Sequence, residues 1–232
     1  MKTETDIELA IDSLGARGDG IAAFEDERVF VPYAAPGDRL TARLARDGDG
    51  RLIGRIRDVI APGPSRAAPP CPHFGIGPLA GCGGCTLQHI DGKTYRAWKL
   101  EQLAAALARF EIAAGEIEPL AVSPPASRRR ADLTASRRKE GVTLGFNARA
   151  SHRIVDLHAC AVLRPALAAL LDPLRELLAA LLRTGDGAEL KLTASDSGVD
   201  LLLVTSGEIG RGGRERIAAF AERHDLARAT RS

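Results

Sequence analysis

The twenty residues from Cys71 to Ile90 most constrain what this chain can become. They hold three of its four cysteines, Cys71, Cys82 and Cys85, in a C-x10-C-x2-C arrangement among glycines and prolines. Almost no apolar periodicity runs through them, so neither a buried helix face nor a strand orders the stretch. Something other than a hydrophobic core must do so. In Gly81-Cys82-Gly83-Gly84-Cys85, glycines at positive φ are expected to let two thiolates point at one metal and to bring backbone N–H groups toward sulfur. Pro72 and Pro78 stiffen the approach. The fourth cysteine, Cys160, follows Ile154-Val155-Asp156-Leu157-His158-Ala159 far downstream. As a fourth ligand it would staple the loop to the segment that carries it.

Other uses of four cysteines fit less well. Structural core cysteines would not gather three into one Gly-rich loop. Two disulfides suit the even count, but MKTETDIELAID contains acidic residues and no apolar h-region, so no secretory signal is expected. The longest apolar stretch, 166–182, is interrupted by Asp172, Arg175 and Glu176, and no membrane span is expected. A cytoplasmic location follows, where disulfides are rare. A four-thiolate zinc site uses the same side chains as an iron–sulfur cubane, and spacing alone does not separate them. His73, His89 and His158 lie near the cysteines as substitute ligands or as neighbours of the site.

Around this loop the chain reads as α+β. Residues 1–60 carry short β-rich pieces (IELAI, GIAAF, RVFVPY, DRLTARL, LIGRIRDVI) between Gly, Asp and Pro punctuation, predicting a five-strand OB-like barrel. Ala34 to Asp38 is a turn, and Asp47-Gly48-Asp49-Gly50 suits a hairpin. Gly15 to Gly20 has the wrong spacing for a phosphate loop and reads as a barrel turn. Residues 61–92 form a linker and the cysteine loop. Residues 93–232 form a mixed α/β domain. Its first helix has an apolar face of Trp98, Leu100, Leu103, Ala104, Leu107 and Phe110. Strands follow at 130–136, 142–147 and 152–157, then a leucine-rich helix over 165–183 with Pro165 in its first turn and a kink at Pro173. Strands ELKLTAS and VDLLLVT, a helix over 210–224 and a strand opening at Leu226 to Ser232 complete it, as though the architecture continued.

Charge is uneven. Residues 1–60 hold 9 basic against 12 acidic side chains, the remainder 23 against 18, so a nucleic-acid footprint belongs on the second part. Arg128, Arg129 and Arg130, with Arg137, Arg138 and Lys139, place six basic residues against one acid, Asp132, within twelve positions. If 130–136 is extended, the clusters bracket a strand and can track a phosphate backbone. Arg149, His152 and Arg153 extend the patch, whose bland reading is a solvated charged hairpin. Aromatic residues are only 4%, leaving Phe74, Tyr95 and Phe146 as candidate stacking groups.

Cys71-Pro72-His73-Phe74, then Cys82-Gly83-Gly84-Cys85-Thr86-Leu87-Gln88-His89, resembles the cluster loop of the bacterial 23S rRNA uracil-5 methyltransferases, as do Gly145-Phe146-Asn147, Ile154-Val155-Asp156 and Cys160. The resemblance covers essentially the whole chain. It implies a TRAM barrel over residues 1–60, a [4Fe–4S] cluster on Cys71, Cys82, Cys85 and Cys160, and an RNA-contacting α/β domain. The gap between Cys71 and Cys82 is wider here, with the extra residues within Gly75 to Ala80. Family chemistry further requires a nucleophilic cysteine, an acid/base carboxylate and a Rossmann-like S-adenosylmethionine domain. With four cysteines assigned to metal and no strand–Gly-rich turn–helix unit, the chain reads as the RNA-recognition half, inactive alone. S-adenosylmethionine would belong to the full-length enzyme, and a C-terminal catalytic domain is expected to be encoded downstream. A free-standing, non-catalytic metal-containing RNA-binding module is the alternative. A small electron-transfer protein would leave the basic and α/β portions without purpose.

Overall fold

The computed structural model describes residues 6–77, 81–113 and 115–231. Residues 1–5, the stiffening role of Pro78, the rest of the loop extension at Leu79 and Ala80, and the end of the last strand at Ser232 lie outside them. The chain divides into two units, the first running to Pro69 and resuming over Thr86–Val122, the second comprising Pro70–Cys85 and everything from Ser123.

In the first unit, strands β1 (Asp6–Ala10), β2 (Ser13–Leu14), β3 (Gly20–Phe24), β4 (Glu27–Val31), β5 (Arg39–Arg46) and β6 (Leu52–Ala61) form one sheet in the order β1-β5-β6-β4-β3-β2. The expected five-strand OB-like barrel is therefore corrected to a sheet of six strands among the described residues, with no pairing between its edge strands β1 and β2. The physical reason lies in the first strand. Between β1 and β2 the chain breaks at Ile11 and Asp12, whose N–H groups donate to Asp38 O (2.9 Å) and Ile21 O (2.8 Å). One stretch thus supplies both edges of the sheet, and β1 approaches β3.

Local chemistry explains the hairpins. Glu25 and Asp26 both take positive φ, 47° and 63°, as a two-residue turn matched to strand twist requires. The expected hairpin at 47–50 forms because the Asp47 carboxylate accepts from the N–H groups of Asp49 (3.0 Å) and Arg51 (2.9 Å). Leu9, Val29, Val31, Leu40 and Ala42 fill the core.

The Pro/Gly stretch after β6 is anchored. Asp38, fully buried, accepts from Ala35 N (2.6 Å), Gly63 N (2.8 Å) and Arg66 Nε (2.9 Å), and Arg66 Nη2 reaches Tyr33 O (2.9 Å). Helix α1 (Gly92–Arg109) is capped by Asp91, whose side chain accepts from Lys93 N and Thr94 N, and so starts six residues before Trp98. Only Trp98 is buried along it. Leu103 and Phe110 stay 46% and 73% exposed, so the apolar spacing read there does not mark a face within this unit's core.

In the second unit, β7 (Arg130–Arg138), β8 (Gly141–Gly145), β9 (Gly187–Ser195), β10 (Gly198–Thr205) and β11 (Leu226–Arg231) form a sheet in the order β11-β10-β9-β7-β8. It is antiparallel except for β10 with β11, which helix α4 (Arg211–Arg223) connects. Alternation is regular. Leu133, Leu144, Leu190, Leu192, Leu201 and Leu203 point inward, almost fully buried, while Arg130, Asp132, Glu189 and Lys191 face outward. An antiparallel sheet with one dry and one solvated face follows.

Two expectations are corrected here. The single helix over 165–183 is two, α2 (Pro165–Ala168) and α3 (Leu171–Leu181). Pro173 falls in the first turn of α3, where its missing N–H costs no intrahelical bond and requires no kink. The segment 152–157 is not a strand. It lies beside β8 through Val155 N to Phe146 O and Leu157 N to Leu144 O, both 2.9 Å, and one bridge, Asn147 to Ile154. Between those bonds the Asp156 carboxylate, rather than a backbone carbonyl, accepts from Leu144 N (3.1 Å). Gly145 permits the close approach, since a Cβ there would stand 1.9 Å from Val155 O. The α+β class holds. Among the described residues no helix is long and apolar enough to cross a membrane.

Candidate functional site

All four cysteines lie in the second unit, and none is in a disulfide. Cys71 and Cys82 are buried, Cys85 and Cys160 half-buried. Burial pushes the Cys82 thiol up. The Gly84 N–H opposes that, and the neighbouring thiols Cys85, Cys71 and Cys160 add to the rise. Among the described residues no three His, Cys, Asp or Glu side chains form a group placed to hold a single metal ion.

The loop is ordered by its backbone. Phe74 N donates to Cys71 O (3.1 Å) and Cys82 N to His73 O (3.0 Å). Cys82 then bridges to Ala148, Gly83 N donates to Asn147 O (2.9 Å), and Arg149 N to Gly81 O (3.2 Å). Gly84 N points at Cys82 Sγ (3.4 Å). The reason expected for the glycines is half corrected. Gly81 takes φ +97°, but Gly83 and Gly84 do not have positive φ. They are needed for closeness: a Cβ on Gly83 would stand 2.7 Å from Asn147 O, and one on Gly84 would stand 3.1 Å from the Phe146 ring and 3.5 Å from Cys82 Sγ.

The histidines have other work. His73 is 1% exposed, and its Nε2 accepts from the His158 N–H (3.2 Å). His89 lies in the first unit, with Nε2 3.1 Å from Ala34 O. His158 Nε2 lies 3.6 Å from Asp156 Oδ2. Burial raises the Asp156 carboxyl, but hydrogen bonds from Arg175 and Leu144 N and the charges of Arg175 and His158 outweigh it, holding it below the usual carboxylate range. The Ile-Val-Asp segment ahead of Cys160 is thereby pinned to α3, where Arg175 sits.

The two basic clusters stand at opposite ends of β7, about 27 Å apart for a strand of that length. Arg128, Arg129, Arg130, Arg138 and Lys139 are exposed and Arg137 is half-buried, its Nη1 on Arg138 O (3.1 Å). Arg129 is partly spent on Ala194 O and Asp196, both 3.0 Å. Among the described residues Arg130, Arg138 and Lys139 make no ion pair. Arg149 is half-buried, while His152 and Arg153 are exposed beside the loop. Of the stacking candidates, Phe74 is buried, Phe146 packs along Gly84, and Tyr95 lies under Lys99 Nζ at 5.8 Å. Phe74 is thus a core residue, which corrects that expectation.

One connection has no sequence signal. Arg128 Nη1 donates to Gly84 O (3.1 Å), between two of the cysteines. Its backbone is held by Val162 O (2.8 Å) and Arg164 N (3.0 Å), just past Cys160. In the first unit Arg39, Arg43, Arg46, Arg51 and Arg66 each pair with a carboxylate.

No protein-family model matches the chain. It is 37% identical over 222 residues to an uncharacterised RNA methyltransferase of Brucella suis biovar 1 (strain 1330), covering 95% of this chain and 51% of that protein. It is 40% identical over 228 residues to the 23S rRNA (uracil(1939)-C(5))-methyltransferase RlmD of Halomonas elongata, covering 94% and 45%. Its fold is similar to that of the Pyrococcus abyssi tRNA (uracil-54, C5)-methyltransferase crystallised with S-adenosyl-L-homocysteine, with a TM-score of 0.63, 21% identity, and coverage of 90% of this chain and 48% of that one. Its homologues are thus RNA methyltransferases, and the chain spans about half the length of the curated relatives it matches. A match over half of a relative does not make the other half absent, and the expectation of a missing catalytic portion has no support in these matches.

Proposed function

We propose that this chain provides RNA recognition for an S-adenosylmethionine-dependent RNA uracil-C5 methyltransferase acting on 23S rRNA. Supporting this most directly is its 40% identity, over 94% of its length, to a relative named for that reaction. The first unit, a six-stranded sheet whose edges come from one continuous stretch, is read as TRAM-like. The second unit presents a solvated sheet face with Arg130 and Arg138 outward, and this face is read as meeting the RNA backbone.

Cys71, Cys82, Cys85 and Cys160 are read as the ligands of a [4Fe–4S] cluster. The donor set suits one: four thiols outside any disulfide, a backbone N–H aimed at Cys82 Sγ, and a glycine at Gly84, where an added Cβ would come into contact with that sulfur. Bound there, the cluster would join the 71–85 loop to the segment ending at Cys160 by metal–sulfur bonds. In uracil-C5 methylation a thiolate adds to C6 and so activates C5 toward the cofactor's methyl group. With its four cysteines assigned to metal, this chain's own residues bind and orient the RNA.

Anaerobic purification with iron, sulfide and zinc analysis, a visible spectrum and RNA binding over a salt series tests the reading. About four irons and four sulfides per chain are expected, as a cubane on four thiolates requires, with salt-dependent binding of an rRNA fragment. A colourless protein holding one zinc overturns the cluster assignment. Absence of RNA binding at low salt overturns the recognition role.

A further inference from the structure

The cysteine loop and the basic end of β7 are built into each other at Arg128. Its side chain donates to Gly84 O, in the two-residue gap between Cys82 and Cys85. Its main chain lies in a parallel bridge with Leu163: Arg128 N donates to Val162 O (2.8 Å), and Arg164 N donates back to Arg128 O (3.0 Å). Ala126 N donates to Ala161 O (3.0 Å), the carbonyl directly after Cys160. One residue is therefore gripped by both halves of the four-thiol set, the loop and the distant segment. Arg129 and Arg130 follow it into β7, so their approach is set at this point. Cys82 itself lies in an antiparallel bridge with Ala148, held by Gly83 N to Asn147 O (2.9 Å) and Arg149 N to Gly81 O (3.2 Å).

We propose that Arg128 is a positioning residue coupling the occupied cysteine site to the RNA-binding face. Filling the site fixes the Gly83-Gly84 turn and the 161–164 segment together, and Arg128 is then held with its guanidinium at the exposed end of β7. Emptying the site frees both anchors, and the arginines at 128–130 lose their shared register. Because coupling between two binding events is reciprocal, RNA held on this face must in turn retain the metal. The inference rests on the proposed function, since it needs both a metal on the four thiols and RNA on the basic face.

The test uses the metal-loaded full chain and a synthetic rRNA hairpin at low salt, and follows metal release to an excess of chelator. Saturating hairpin should slow release from the unaltered protein by about tenfold, a usual size for such coupling. In Arg128→Gln, with hairpin concentration raised until binding saturates, that protection should fall to less than about twofold. Arg128→Lys keeps one donor for Gly84 O and should restore most of it. Arg130→Gln loses a phosphate contact without touching the loop, and should need more RNA yet show full protection at saturation. Undiminished protection in Arg128→Gln, or none in the unaltered protein, overturns the coupling while leaving metal and RNA binding intact. A protein that holds no metal, or does not bind the hairpin, overturns the functional reading, and the coupling falls with it.

Discussion

Replacing Asp38 by asparagine should unfold the first unit far more easily than the loss of one hydrogen bond would suggest. The carboxylate has no exposed surface, while the Arg66 side chain keeps 20%. Both carboxylate oxygens are used, by Ala35 N, by Gly63 N and by the Arg66 guanidinium. Asparagine matches the shape but exchanges one acceptor for an NH2 donor, so at least one backbone N–H then faces another donor. An unpaired buried group costs about 1–3 kcal/mol, and removing one partner of a buried pair about 3–5 kcal/mol. These costs overlap, giving an expected loss of about 3–5 kcal/mol.

The same pair predicts a pH dependence. Burial pushes the Asp38 carboxyl up, but Arg66 and the two N–H groups more than reverse this, leaving it below its usual value. A depressed carboxyl stabilises the fold above its unfolded pKa of about 3.9, and that stability is lost as pH falls through the lower folded value. The gap between wild type and Asp38→Asn should therefore be full at pH 7 and shrink below about pH 4. Urea unfolding followed by Trp98 fluorescence measures it. Trp98 is the only tryptophan, and its indole N–H donates to Gly15 O (3.1 Å) within this unit. A loss under about 1 kcal/mol at pH 7, or a gap that persists unchanged into acid, refutes the reasoning.

Gly83→Ala puts a Cβ 2.7 Å from Asn147 O and should cost about 1–3 kcal/mol as the loop shifts, whereas Gly48→Ala meets nothing within 4 Å and serves as the control in thermal melts. Cys85→Ser and Cys160→Ser should each lower metal content and leave the second unit protease-sensitive, because metal binding and folding are coupled; wild-type resistance in both would remove the structural role. Arg130→Gln and Arg138→Gln, which carry no ion pair, should each lower the slope of log affinity against log salt by about 0.7–0.9, while Arg129→Gln, already bonded to Asp196, should change it less. Equal slopes in all three would take the outward face of β7 out of the interface.

How much of this was legible in the residues follows from the range of each interaction. Alternation in β7, β9 and β10, the hairpin at Asp47 and the helix after Gly210 depend on neighbours one to four positions away, and the sequence by itself determined them. It also singled out the cysteine loop, because a Gly-rich stretch without apolar spacing declares that a core does not order it. Tertiary contacts decided the rest. Whether Leu103 and Phe110 are buried depends on what packs against α1, not on their spacing, and the same is true of Phe74 in the opposite sense. The segment 152–157 has a strand-like composition, but Asp156 takes the place of a ladder acceptor beside Gly145 and no regular strand forms. Gly83 and Gly84 could be read as permissive backbone, yet their purpose, closeness to Asn147 and Phe146, exists only once residues more than 60 positions away are folded against them. The hold on Arg128 from both halves of the thiol set is of the same kind. Every partner of Arg128 there is a main-chain group of another segment, and main-chain groups carry no residue identity, so nothing in the order of the side chains announced it.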